Sequence, residues 1–146
     1  MSNSQRTKGA NGEREVARVL RENLGLEVTR NWQAQSAEGG CDLCGIPGWA
    51  IEIKRSKSKE GKNAWWEQAA AQAEKAKQTP ALIYRIDGVG RGLPESEKWQ
   101  VVIPMRAVFP DAHKSMLIEM SLKAWIHMLN HTLIPIDEHE TILQEQ

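Results

Sequence analysis

The chain has 146 residues, 40% hydrophobic and 26% charged, with a formal net charge of zero. That length suffices for the core of one domain, and the composition excludes a disordered polyelectrolyte. No apolar run approaches the roughly 20 residues of a membrane-crossing helix, and the opening MSNSQRTKG lacks a signal peptide's apolar stretch, so a cytoplasmic protein with no membrane partner is expected.

Residues 1–7 are polar and read as a flexible N-terminus. From Lys8 to about Leu24, Val16, Ala17, Leu20 and Leu24 recur at three- and four-residue steps, which predicts a helix stopped by Gly25. Leu26 to Trp32 alternates as a strand does, and residues 33–40 form a polar loop. Cys41–Ile46 and Trp49–Lys54 predict a hairpin joined around Pro47-Gly48. A basic connector, Arg55–Lys62, leads to a helix capped by Asn63 and running to about Gln78, ahead of Pro80. Ala81–Ile86 and Trp99–Ile103 are further strands, separated by a glycine-rich excursion over 87–98. Met116–Met120 is a candidate short strand, and Ser121 can cap a last amphipathic helix carrying Leu122, Trp125, Ile126 and Leu129. The order α-β-β-β-α-β-β-α predicts a single α/β domain over residues 8–134, a central mixed sheet flanked by helices, followed by an acidic tail at 135–146.

The zero net charge hides a polarity: residues 1–62 carry a surplus of three positive charges and residues 63–146 a deficit of three. The run Lys54-Arg55-Ser56-Lys57-Ser58-Lys59 is densely basic. Such a distribution permits a basic face for a polyanion without demanding one.

Chemistry concentrates in Trp49–Lys54. With a period of two, Ile51 and Ile53 face one side of the strand while Ala50, Glu52 and Lys54 face the other. Alone, Glu52 and Lys54 are better explained by an exposed ion pair than by catalysis. Asp42, one strand upstream, changes the balance. Two carboxylates at close range repel unless a cation lies between them, and oxygen-only ligands suit Mg²⁺, or Mn²⁺ in its place, rather than zinc. Lys54 beside such an ion can position a water and offset charge on a phosphate.

The hairpin register decides whether the two carboxylates meet. A two-residue turn at Pro47-Gly48 pairs Leu43 with Glu52 and leaves Asp42 on the wrong face; a three-residue turn or a bulge sets Asp42 opposite Glu52, and one of these two is expected. The first helix supplies a third carboxylate, because Glu13 shares the face of Val16, Ala17, Leu20 and Leu24. A carboxylate directed toward a sheet needs a partner, whether an arginine or a metal site.

Other features are less specific. Arg14 is the best phosphate contact on the first helix, since Arg18 and Arg21 lie at ion-pair spacing from Glu15 and Glu22. Arg55 and Lys57 directly follow the Glu52–Lys54 stretch and can touch a phosphate backbone, or form no more than an exposed basic loop. Gln68 and Gln72 share a helix face within reach of the site. Cys41 and Cys44 form a C-x-x-C without a second pair, which suits strand packing rather than zinc or redox chemistry. Trp65 and Trp66 suit packing before base stacking, and His127 and His131, lacking a third ligand, suit the surface.

Taken in order, Lys8-Gly9-Ala10-Asn11-Gly12-Glu13-Arg14-Glu15, Arg30, Asp42-Leu43 and Ile51-Glu52-Ile53-Lys54 resemble the PD-(D/E)xK nuclease superfamily, and within it the Holliday junction resolvases of archaeal and phage type. The resemblance covers residues 8–86. Cys41 stands where the superfamily has its proline, and the Trp65–Gln72 helix looks more like small phage nucleases. The resemblance implies a restriction-endonuclease-like core and a catalytic set of Glu13, Asp42, Glu52 and Lys54. It implies Mg²⁺ held by Asp42, Glu52 and the Ile53 carbonyl, with Glu13 acting indirectly. It further implies DNA contacts from Lys8, Arg14 and Arg30, and a homodimer that nicks branched DNA in a bacterial or phage-infected cell. A phage nuclease cutting flaps, ends or nicks, and a nuclease-like DNA-binding module without turnover, are the alternatives.

Overall fold

The structure, a computed structural model, describes residues 3–31 and 40–132. The predicted loop over 33–39, the strand end at Trp32 and the tail at 135–146 lie outside the described residues. The elements are α1 (Asn3–Leu24), β1 (Thr29–Arg30), β2 (Leu43–Cys44), β3 (Trp49–Ser56), α2 (Lys62–Ala76), β4 (Thr79–Ile86), α3 (Glu95–Lys98), β5 (Gln100–Pro104), β6 (Leu117–Ser121) and α4 (Leu122–Thr132).

The strands form one sheet in the order β1-β2-β3-β4-β5-β6. Only β3 and β4 are parallel, with α2 as their crossover, and the other four pairings are antiparallel. The expected single mixed-sheet α/β domain is therefore what the chain forms. The candidate strand at Met116–Met120 is realised as β6, Leu117–Ser121, which pairs along the whole of β5 and completes six strands.

Two faces of β3 and β4 divide the core. Ile51, Ile53, Ala81 and Ile83 pack with Val16, Ala17 and Leu20 of α1 and with Leu122, Trp125 and Leu129 of α4. Leu82, Tyr84 and Val102 pack on the opposite face under Ala69 of α2. Period-two strands with both faces covered make a three-layer arrangement, and removal of apolar area from water on both sides is its main stabilisation. Of the tryptophans, Trp99 and Trp125 are fully buried, Trp49 meets Trp125 edge to face at 5.3 Å, and Trp65 and Trp66 pack against the cluster under α2.

Several boundaries depart from expectation. Residues 3–7, expected to be flexible, are the first turns of α1. Apolar periodicity reports burial, and these turns bury nothing, so they left no pattern to read. The second helix is capped at Gly61, with no side-chain cap, and Asn63 lies inside it. The 87–98 excursion closes with a tight turn, Val89 N–H to the Ile86 carbonyl, and the single helical turn of α3. Cys44 lies on β2 and is exposed, and Cys41, just before that strand, is half-buried.

Candidate active site

The site is built where β2 and β3 meet. Ile46 and Trp49 close a turn, the Trp49 amide donating to the Ile46 carbonyl at 3.2 Å, with Pro47-Gly48 at its centre and Gly48 at φ +83°. Pro followed by a residue of positive φ is the signature of a type II turn. The ladder beyond does not keep a two-residue register, for Leu43 pairs with Ile51, not with Glu52. The extra residue is absorbed at Gly45, at φ +114°, where a Cβ would lie 2.3 Å from the Glu27 carbonyl oxygen. The Asp42 amide also donates to the Ile51 carbonyl at 2.8 Å, so Asp42 and Leu43 both face Ile51, as in a bulge. This irregular register carries the Asp42 carboxyl to the Glu52 side.

Among the described residues Glu52 is the one buried charged side chain, 4% exposed. Its Oε1 accepts from Gln68 Nε2 at 3.0 Å and lies 3.7 Å from Lys54 Nζ. Its Oε2 is buried with no hydrogen-bond partner. Asp42 Oδ2 accepts the Ile53 amide at 2.7 Å. Burial first, and then the negative charge of Asp42, push the Glu52 carboxyl up to about 8. Burial likewise raises Asp42, to about 6, against the pull of the Ile53 amide, and the charge of Glu13 adds to the rise. A pair of desolvated carboxyls that hold their protons this firmly is short of positive charge.

Glu13 is near enough to be felt by both carboxyls, yet its own partner is Arg30, whose Nε donates to Glu13 Oε2 at 2.7 Å. Arg30, expected at DNA, thus holds the third carboxylate. Among the described residues no three His, Cys, Asp or Glu side chains converge as a metal-ligand group. The candidate ligands are two carboxylates and the backbone of Ile53. The orphaned Glu52 Oε2 and the all-oxygen donor set fit a hard divalent cation.

These residues line an open cleft of about 1480 Å³, whose opposite wall is the first three turns of α1, including Lys8 and Arg14. Arg55 and Lys57 also line it, Lys57 fully exposed at its rim. Of the two glutamines, Gln68 reaches the site and Gln72, one turn along, does not line the cleft. Sequence reasoning overlooked Asp87, which binds both Lys8 and Arg55. It overlooked Asn31 too, whose amide and side chain hold the Asp42 and Cys41 carbonyls at 2.8 and 2.9 Å. An acidic residue directly after the strand that follows a crossover helix was the available signal for Asp87. Asn31 left none beyond its position one residue past Arg30. His127 and His131 are exposed neighbours on α4, as expected.

A mixed sheet with a buried Glu52 and Lys54 on β3, faced by Asp42 across the hairpin, fits the core that the PD-(D/E)xK resemblance implies. The family can be stated more narrowly. Residues 4–131 match the profile of the family described as Phage putative PDDEXK endonuclease, and the chain belongs to that family. The match extends past β6 into α4, well beyond the motif-bearing half. No curated protein matches the chain. No helix among the described residues is long and apolar enough to cross a membrane.

Proposed function

We propose that the protein is a divalent-cation-dependent DNA endonuclease, using Mg²⁺ or Mn²⁺, whose reacting centre is Asp42, Glu52 and Lys54. The observation that carries this reading is the buried, partnerless Oε2 of Glu52 beside Asp42. Asp42, Glu52 and the Ile53 carbonyl are the groups that would hold the cation. When bound, the ion would supply Lewis acidity toward a phosphodiester and neutralise the two carboxylates. The chain's own residues do the rest. Gln68 fixes Glu52 Oε1, the Ile53 amide fixes Asp42 Oδ2, and both carboxylates are thereby aimed before substrate arrives. Lys54 Nζ, 3.7 Å from Glu52, is the cation that can steady a negatively charged phosphate or an attacking water. Glu13 and Arg30 hold α1 against the strand edge behind them.

Branched DNA, cut as paired nicks by a homodimer, is the substrate that the resolvase resemblance favours. Membership in a phage endonuclease family favours equally a second reading, in which flaps, ends or nicked duplex are cut. One assay separates them. Purified protein with Mg²⁺ is offered equimolar four-way junction, flap, duplex and single-stranded DNA. Symmetric nicks confined to the junction support the first, and cutting across the panel supports the second. No hydrolysis of any substrate sinks the endonuclease reading. Asp42→Asn is expected to cut at least about 100-fold more slowly, and a variant as fast as wild type would remove Asp42 from the site.

A further inference from the structure

Asp87 collects two of the cations that line the cleft. Its Oδ1 accepts from Arg55 Nε at 3.1 Å, and its Oδ2 accepts from Lys8 Nζ. The three side chains come from three separate places: the second turn of α1, the body of β3 and the first residue after β4. The Asp87 backbone is fixed, since its amide donates to the Ser56 carbonyl at 2.9 Å and the Ile86–Val89 turn closes immediately behind it. Lys8 and Arg55 line the same cleft as Asp42 and Glu52, and Asp87 is not among its lining residues.

We propose that Lys8 and Arg55 form a binding site for a DNA backbone phosphate, and that Asp87 is its resident stand-in, masking one of the two cationic charges until DNA displaces it. The proposal rests on the DNA endonuclease reading. A carboxylate offers an arginine and a lysine the same kind of anionic oxygens that a phosphodiester offers. Lys8, Arg55 and Asp87 each keep 27–31% of their side-chain exposure, so water and a polyanion both reach the cluster. Ion pairs that accessible are weak, and a duplex with its counterion atmosphere can compete for them. The consequence is selectivity: DNA that places a phosphate there gains two cations, while DNA that does not meets a cluster whose net charge Asp87 holds at one.

The test is binding of a labelled duplex over a range of KCl concentrations, with a chelator present to prevent hydrolysis. Asp87→Asn should bind several-fold more tightly than wild type at low salt, and its plot of log affinity against log salt should be steeper, because binding then frees no carboxylate to take up a cation. In a Lys8→Gln/Arg55→Gln background the same substitution should gain nothing. Asp87→Ser serves where the asparagine variant folds poorly. Affinity and slope equal to wild type, or a gain that survives loss of both cations, would overturn the proposal. Wild type that binds DNA but hydrolyses none of the four substrates with Mg²⁺ sinks the endonuclease reading alone. Wild type that cuts, with an unchanged Asp87→Asn, sinks this proposal alone, and wild type that binds no DNA at any salt sinks both.

Discussion

The Ile53 amide donates to Asp42 Oδ2 at 2.7 Å, so one of the two paired carboxyls is held by the backbone of the strand that carries the other. That hydrogen bond ties the position of Asp42 to the register of the hairpin. It also stabilises the ionised form of Asp42, which burial opposes. Glu52 has no such backbone donor, and its two oxygens are unequally served: Oε1 has Gln68 and Lys54, Oε2 nothing.

A pH dependence of stability follows. Both carboxyls are raised above their ordinary values, Asp42 from 3.8 to about 6 and Glu52 from 4.5 to about 8, by burial first, with the charge of Glu13 adding at Asp42 and that of Asp42 adding at Glu52. Groups raised on folding contribute stability that is complete below about pH 4 and is lost as pH climbs through the folded-state values. Without divalent cation, the melting temperature should therefore fall between about pH 5 and about pH 8.5, and Glu52→Gln should flatten that decline. Added Mg²⁺ should raise the melting temperature most at the alkaline end, because it binds the deprotonated pair. Thermal melts of both proteins at the two pH values, with and without Mg²⁺, give the answer. Equal pH slopes for wild type and Glu52→Gln would contradict the coupling.

The register yields a second prediction. Gly45 and Gly48 both have positive φ, +114° and +83°, yet only at Gly45 would a Cβ strike backbone, that of Glu27 and Val28 just before β1. Alanine at Gly48 should cost about 1 kcal/mol. Alanine at Gly45 adds a clash with the Glu27 carbonyl to the backbone strain, and should cost about 3 kcal/mol or more. At roughly 3 °C per kcal/mol, melting temperatures resolve that difference. The same substitution should slow DNA cutting more than Gly48→Ala does, because relief of the clash moves the Asp42 end of the hairpin. Equal effects at the two glycines would mean that the bulge does not set the site.

Much of this was legible in the sequence because burial leaves a period. Ile51 and Ile53 against Glu52 and Lys54 gave the strand face, and Val16, Ala17 and Leu20 placed Glu13 toward the sheet. The two permitted registers that bring Asp42 to Glu52 could be enumerated, and the observed one combines a tight turn with an extra residue at Gly45. What stayed hidden were partners set by tertiary distance alone. Asp87 is 79 residues from Lys8 and 32 from Arg55, and nothing local marks it as their common acceptor. The sixth strand read only as a candidate because Leu117 and Glu119 are exposed on it while Ile118 and Met120 are only half-buried, which weakens the alternation. The first turns of α1 were missed because a solvent-facing helical segment needs no apolar pattern.

The Glu13–Arg30 pair separates architecture from substrate contact. Arg30 keeps 10% of its side-chain exposure and Glu13 21%, so the pair is largely desolvated. Removing only the arginine leaves a nearly buried carboxylate beside Asp42 and Glu52, and Arg30→Gln should destabilise the protein by on the order of 2–3 kcal/mol, the lower end reflecting the exposure Glu13 retains. The double variant Glu13→Gln/Arg30→Gln replaces both charges and should recover most of that loss, a non-additivity that a double-mutant cycle measures directly. If Arg30 is structural, Arg30→Gln should also leave the salt dependence of DNA binding as it is in wild type. A slope shallower by about 0.9 would return Arg30 to the DNA contacts, since each phosphate contact carries that weight. Chemical denaturation and salt-titrated binding of the same three proteins decide between the two roles. The two measurements are independent, because a desolvated pair tied to α1 contributes to folding whether or not a phosphate ever reaches it.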